Sequence, residues 1–278
     1  MKNWLAMLGI SAIAGLGAVH ASAADIAVPQ KLQDQGKIIF CSDLKSPPSQ
    51  YIAEDGQTPT GVAYDMLLGI GDELGLPVEM FNVAFSGIFP ALDSGNCNGI
   101  MASTSKSPER LEKYNFVDYW SVQSGLLVPK GNPDNLSTFE DLAGKRVAVL
   151  LGSANERRLK AANETLAAAG KPEMEIATYP GNTTAFQELD LGRVDAMVSD
   201  TLVLSYFMSR SDGRFEIGGT PVPPATLGII VAKQDVDIAN AFRAALDDMA
   251  ANGKLQAIID KWGVGAGLSV CTTDNPCQ

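Results

Sequence analysis

From Lys37 onward the chain alternates short apolar runs with longer stretches in which apolar residues recur every three or four positions. Residues 37–42 read as a strand and Asp55-Gly56 as a turn. Between residues 64 and 74, Met66, Leu67, Ile70 and Leu74 fall on one helical face. Gly75 and Pro77 stop that helix. A strand follows at 78–83, then a helix capped by Ser86 and running through Leu92 to Gly95, then a strand at 99–102. After a Ser/Thr loop, Ser107-Pro108-Glu109-Arg110 opens a helix with serine as its cap and proline at its first position.

The second half repeats the alternation. Ser137 or Thr138 caps a short helix ending at Gly144, and residues 146–150 form a strand. Ser153 caps a long helix to Ala169, closed by Gly170 and Pro172. Strands at 174–178 and 194–199 flank a helix at 183–191, and a further helix reaches Met208. A strand at 227–232 and helices at 237–252 and 255–262 complete the pattern. Strands alternating with helices imply an α/β fold of mostly parallel sheets flanked by helices. Two such runs without a Pro/Gly-rich linker imply two lobes joined by extended crossovers. Ligands of such sheets sit beyond the carboxyl ends of the strands, so the residues after each strand are the candidates for chemistry.

The N-terminus departs from this pattern. Lys2 precedes an apolar stretch over residues 4–19, and Ala21-Ser22-Ala23 follows with small residues. That order predicts a cleavable signal peptide over residues 1–23. The apolar run is shorter than the ~20 residues of a membrane span. No cysteine stands at the cleavage point, so no lipid anchor is expected and the protein is expected free in the periplasm.

The formal net charge is −11, and Lys2 is the only Lys, Arg, Asp or Glu in the signal segment. Such acidity argues against nucleic-acid binding and against adsorption to anionic lipid. The single histidine, His20, also lies in that segment. A mature chain without histidine excludes Ser-His-Asp and Cys-His catalysis and lacks the usual ligand of catalytic zinc. No metal and no cofactor are expected. The four cysteines, Cys41, Cys97, Cys271 and Cys277, permit three complete pairings. Cys271 and Cys277 are expected to close a small local loop. Cys41, in an apolar strand, reads as a buried thiol, and Cys97 as free or paired with the tail.

Several strand ends deliver polar groups. Ser42 and Asp43 follow the first strand; Ser103, Thr104, Ser105 and Arg110 follow the strand ending at Ala102; Gly152-Ser153-Ala154 and Asp200 follow two strands of the second half. The planar cation of Arg110 can grip a carboxylate through two parallel hydrogen bonds. The backbone N–H groups of Ser153 and Ala154 open a helix, which favours an anion. Asp200 can accept from an ammonium group. Ser103 and Ser105 sit at strand spacing, with both hydroxyls on one side. An α-amino acid needs one anion clamp and one cation clamp, and these residues supply both. Each also has a plainer reading. Ser107 to Arg110 can be a helix cap with a surface arginine, Ser153 and Asp200 can be caps, and Phe85 can be a core aromatic.

The order of these residues along the chain resembles the family-3 extracellular solute-binding proteins, the polar amino-acid receptors of ABC importers. The resemblance runs from about Lys37 to Trp262. It rests on Phe40-Cys41-Ser42-Asp43 with Pro47-Pro48, on Gly61 to Asp65, on Phe85-Ser86-Gly87-Ile88-Phe89-Pro90-Ala91-Leu92, on Ser103 through Arg110 and on Phe116-Val117-Asp118-Tyr119. Further on it rests on Asp141 through Val149, Gly152-Ser153, Gly192-Arg193-Val194-Asp195-Ala196 with Asp200, Gly253 and Lys261-Trp262.

The resemblance implies a type II two-lobed periplasmic-binding-protein fold. Lobe 1 is expected at 24–121 and 225–270, lobe 2 at 122–224, and a tail at 271–278. It implies that Arg110, Ser153 and Ala154 bind the ligand α-carboxylate, and that Asp200, Ser103 and Ser105 receive its ammonium. Phe85 would pack on the ligand side chain and Asp43 contact a polar one. Ser46 and Ser49 stand where many relatives carry aromatics, and Gly61-Val62-Ala63-Tyr64-Asp65 departs from the usual Gly-Phe-Asp, so the side-chain end of the pocket differs; Tyr51 is a candidate to fill it. Hinge closure around the ligand and delivery to the importer's transmembrane subunits follow from the same resemblance, with a monomer as the family default. Two other readings share the fold: a cyclohexadienyl-dehydratase-like enzyme using Glu156 or Asp43 as its acid, and a ligand-sensing subunit for a membrane receptor.

Overall fold

The computed structural model describes residues 26–264 and 269–277; the predicted signal segment lies outside them. The chain begins with α1 (Gln30–Gln35), β1 (Ile38–Ser42), β2 (Lys45–Ser46), β3 (Gln50–Ile52), β4 (Pro59–Thr60), α2 (Val62–Leu74), β5 (Val78–Asn82), α3 (Ile88–Asp93), β6 (Gly99–Ile100), α4 (Pro108–Lys113) and β7 (Tyr114–Val122). It continues through β8 (Ser124–Pro129), β9 (Arg146–Leu150), α5 (Ala154–Ala168), β10 (Glu175–Tyr179), α6 (Asn182–Asp190), β11 (Ala196–Asp200), α7 (Thr201–Ser209) and β12 (Phe215–Gly219). It ends with β13 (Ala225–Ala232), α8 (Val236–Ala251), α9 (Lys254–Trp262) and β14 (Ser269–Val270).

The apolar runs become the buried strands. In β9 the run Val147 to Leu150 is buried throughout, as befits a strand covered by helices on both faces. Met66, Leu67, Ile70 and Leu74 form the buried face of α2, which ends at Gly75 with a φ of 65°. Lys261 Nζ and Trp262 Nε1 each donate to Asp65 Oδ2 at 2.7 Å, tying α9 to α2.

Two large sheets result. The first has the order β14-β7-β13-β6-β1-β5 and the second β10-β9-β11-β8-β12, beside a small sheet β2-β3-β4. Both large sheets are mixed. β1 pairs in parallel with β5 and β6, and β9 with β10 and β11. The other halves are antiparallel, through β7 with β13 and β8 with β11 and β12. The pattern predicted mostly parallel sheets because it missed β7, β8 and β12. In β7, Asn115, Asp118 and Ser121 interrupt the apolar signal. The chain crosses between the sheets at Gln123 and again over residues 220–224.

Each large sheet carries an apolar core on either face. Phe40, Trp120 and Phe242 mark one face of the first sheet, and Ile88, Ile100 and Ile230 the other. Val147, Val149 and Leu159 mark one face of the second sheet, and Ala148, Met197 and Phe207 the other.

The cysteine reading is half right. Cys271 pairs with Cys277 as expected, but Cys41 is bonded to Cys97, so it is not a thiol and Cys97 does not join the tail. The reason is strand order. Parallel pairing of β1 with β6 sets Cys41 opposite Ile100, and Asn98 N–H donates to Ile39 O at 2.7 Å. Cys97, at the entrance to β6, thereby lies beside a residue 56 positions away.

Candidate functional site

The carboxyl ends of β6, β9 and β11 converge on a pocket between the two large sheets. Seven of the eight candidate residues line it: Phe85, Ser103, Ser105, Arg110, Ser153, Ala154 and Asp200. The space between them is a cavity of about 30 Å³, room for roughly two or three water molecules.

Arg110 lies in the first turn of α4, whose cap is Ser107; the Ser107 hydroxyl accepts from Arg110 N–H at 3.4 Å. Its guanidinium is not a free surface group. Nη1 donates to Ser105 O at 2.8 Å, and Cζ sits 4.8 Å over the Phe89 ring. Burial, together with the nearby charge of Arg157, lowers its pKa to about 10. The cation is held in place with most of its donors uncommitted.

Ser103 and Ser105 both line the pocket, though not by strand alternation. β6 stops at Ile100, and Ser103 has a φ of 48°, in the left-handed region. Non-glycine residues held there are strained, and such strain collects at functional sites. The Ser103 hydroxyl donates to Ser49 Oγ at 3.2 Å.

Across the pocket, α5 starts with a reciprocal cap. The Ser153 hydroxyl accepts from Glu156 N–H at 3.1 Å, and the Glu156 carboxylate reaches back to Gly152 N–H at 2.5 Å. Ser153 N–H itself goes to Leu150 O at 3.2 Å. The anion-attracting N–H groups are therefore those of Ala154 and Asn155, the first two helical residues, which have no intrahelical acceptor. Asp200 precedes α7 but makes no side-chain capping bond, so the plainer reading of it as a cap does not hold. Burial raises its pKa to about 6, against the pull of Arg158 and hydrogen bonds from Asn155 and Ser124.

Asp43 is the exception. It is fully buried and absent from the pocket lining. Its carboxylate accepts from Ser46 Oγ at 3.3 Å and from Gln50 Nε2 at 3.2 Å, and burial raises its pKa to about 6. The tight turn after β1, where Leu44 has a φ of 42°, folds Asp43 behind Ser46. Tyr51 does not fill the pocket either. It lines a separate groove against Tyr206 and Trp262, at ring-centroid distances of 6.0 and 6.4 Å.

Asn155, Arg158, Asn182 and Ser199 also line the pocket and are not among the candidates drawn from the sequence. Arg158 stands four residues after Ala154 on α5, one turn along the same face. Its Nη1 donates to Asn155 Oδ1 at 2.9 Å and to Ser124 Oγ at 3.3 Å. Helical spacing from Ala154 was the available signal for it. Asn182 follows β10 at the start of α6, the strand-end position that marks candidates, and the approach of α6 to β2 brings it to the pocket.

Residues 38–265 match the bacterial extracellular solute-binding proteins, family 3. The chain belongs to that family. Among relatives of this solute-binding protein, the L-cystine-binding protein TcyJ of Escherichia coli (strain K12) is 26% identical over 260 residues, covering 92% of this chain and 94% of the relative. An ancestral arginine-binding protein bound to arginine superposes with a TM-score of 0.75 at 30% identity, covering 82% of this chain and 98% of that one. The ancestral amino acid-binding protein AncCDT-1, a precursor of cyclohexadienyl dehydratase, gives a TM-score of 0.71 at 29% identity, covering 84% and 97%.

Proposed function

We propose that this solute-binding protein is exported to the periplasm, closes around an amino acid, and presents it to the membrane subunits of an ABC importer. In this reading the lobes are residues 24–121 with 225–270, and 122–224. Arg110 and the N–H groups of Ala154 and Asn155 receive the α-carboxylate. Asp200, Ser103 and Ser105 receive the ammonium, and Phe85 packs against the side chain. The observation that carries the reading is the placement of Arg110 and Asp200. Charges of opposite sign, delivered by different sheets, line one small pocket. Burial disfavours the ionised form of each, and a zwitterion would supply each with a counter-charge in the pocket. Because the two groups come from opposite sides, a ligand that pairs both stabilises the closed arrangement.

The dehydratase-like alternative has little to work with. Of its two candidate acids, Asp43 lies behind Ser46, and Glu156 is committed to Gly152 N–H and to Lys160 at 2.6 Å. Neither lines the pocket. The test is a thermal-shift screen of the mature protein against amino acids, with prephenate and arogenate included. A shift with an amino acid, lost in Arg110→Ala and Asp200→Ala, is expected. Shifts only with compounds lacking an α-carboxylate or amine would contradict the reading, and formation of an aromatic product would favour the enzyme.

A further inference from the structure

Once a ligand's carboxylate and ammonium are placed as above, its side chain meets the rest of the lining. Part of that lining is a continuous hydrogen-bonded wall. The Ser199 hydroxyl donates to Asn182 Oδ1 at 3.1 Å, Asn182 Nδ2 donates to Ser46 Oγ at 3.0 Å, and the Ser46 hydroxyl donates to Asp43 at 3.3 Å. Ser46 belongs to the small sheet of the first half, whereas Asn182 and Ser199 belong to α6 and β11 of the second. The wall thus joins the two halves of the molecule. Ser46, Asn182 and Ser199 all line the pocket, and they are 2%, 4% and 6% exposed.

We propose that this wall restricts the site to amino acids with short side chains, with Asn182 setting the limit; the inference rests on the amino-acid reading above. Three observations support it. The donors run in one direction toward Asp43, so a long side chain entering here must break buried bonds and strand their partners. The carboxylate that would attract a long cationic side chain is sealed behind the wall, with Gln50 and Ser46 on its oxygens. The wall also has no room to recede. Gly181, just before α6, is so close to β2 that a Cβ there would lie 3.0 Å from the Lys45 side chain, and Thr183 Oγ1 reaches Lys45 O at 3.5 Å.

The experiment is calorimetric titration of the mature protein with glycine, L-alanine, L-serine, L-glutamine, L-lysine and L-arginine, repeated on Asn182→Ala. The wild type is expected to bind at least one of the three short ligands about 100-fold more tightly than any of the three long ones. In Asn182→Ala that gap is expected to narrow about tenfold or more, through tighter binding of the long ligands. Equal or tighter wild-type binding of glutamine, lysine or arginine overturns the inference and leaves the amino-acid reading standing. An unchanged gap in a folded Asn182→Ala, checked by circular dichroism, also overturns it. If that variant does not fold, the wild-type ranking decides. Binding of none of the six overturns the inference, and extending the titration to the remaining amino acids then shows whether the amino-acid reading falls with it.

Discussion

Asp43 and Asp200 occupy equivalent places in the primary pattern, each at the carboxyl end of an apolar strand, and burial raises the pKa of both to about 6. Their surroundings then diverge. Both oxygens of Asp43 accept hydrogen bonds, from Ser46 in β2 and Gln50 in β3, and the side chain is closed off. Asp200 remains partly exposed in the pocket, and among the described residues neither it nor Arg110 forms an ion pair. A carboxylate sealed among internal partners supports architecture, whereas one that also faces the pocket can receive a ligand. Strand-end position does not separate these two outcomes; access to the pocket does.

The sharpest way to break this contrast is to truncate each residue. Arg110→Ala is expected to cost about 2–5 kcal/mol of binding, roughly 30-fold or more in Kd, and Asp200→Ala a similar amount. Asp43→Asn should leave Kd for a bound amino acid within a few-fold, measured by the same titration. A loss in Asp43→Asn as large as in Asp200→Ala would erase the distinction.

The pH dependence gives the next largest effect. A ligand ammonium holds Asp200 ionised, so bound and unbound forms differ by one proton below about pH 6. Affinity is expected to be flat above that value and to fall about tenfold per pH unit below it, and Asp200→Asn should abolish the slope. Stability carries the opposite sign. Asp43 and Asp200 hold protons in the folded protein that the unfolded chain releases near pH 4. Their contribution is therefore greatest below that pH and is lost as the pH rises through about 6. Urea melts at pH 5 and pH 7 should show Asp43→Asn gaining on the wild type at the higher pH.

The smallest effect concerns the frame. Ser153→Ala removes the hydroxyl that caps α5, and about 1 kcal/mol of stability is expected to go with it. Since the donors assigned to the ligand are the N–H groups of Ala154 and Asn155, Kd should change little. A large loss of affinity without loss of melting temperature would return the Ser153 hydroxyl to the ligand.

What could be read from the sequence follows from how local each feature is. Arg110, Ala154 and Asp200 stand at the ends of strongly periodic elements, where caps and apolar runs announce the boundary. Phe85, Ser103 and Ser105 line the pocket, Ser103 through a left-handed backbone and not through strand spacing. The Cys41–Cys97 bond needed knowledge of which strand lies beside which, whereas Arg158 was signalled by its helical spacing from Ala154 and Asn182 by its place after β10. The polar interruptions of β7 hid the antiparallel half of the first sheet. Asp43 stands at a strand end like Asp200 but does not line the pocket, and nothing local says that Ser46 will fold in front of it.

The most direct test of the central claim uses one amino acid that the mature protein binds, titrated beside its N-acetyl and its carboxamide derivatives. Bridging of Arg110 and Asp200 by the zwitterion predicts that blocking either end abolishes binding, the acetyl through Asp200 and the amide through Arg110. Retention of near-parental affinity by either derivative would contradict it.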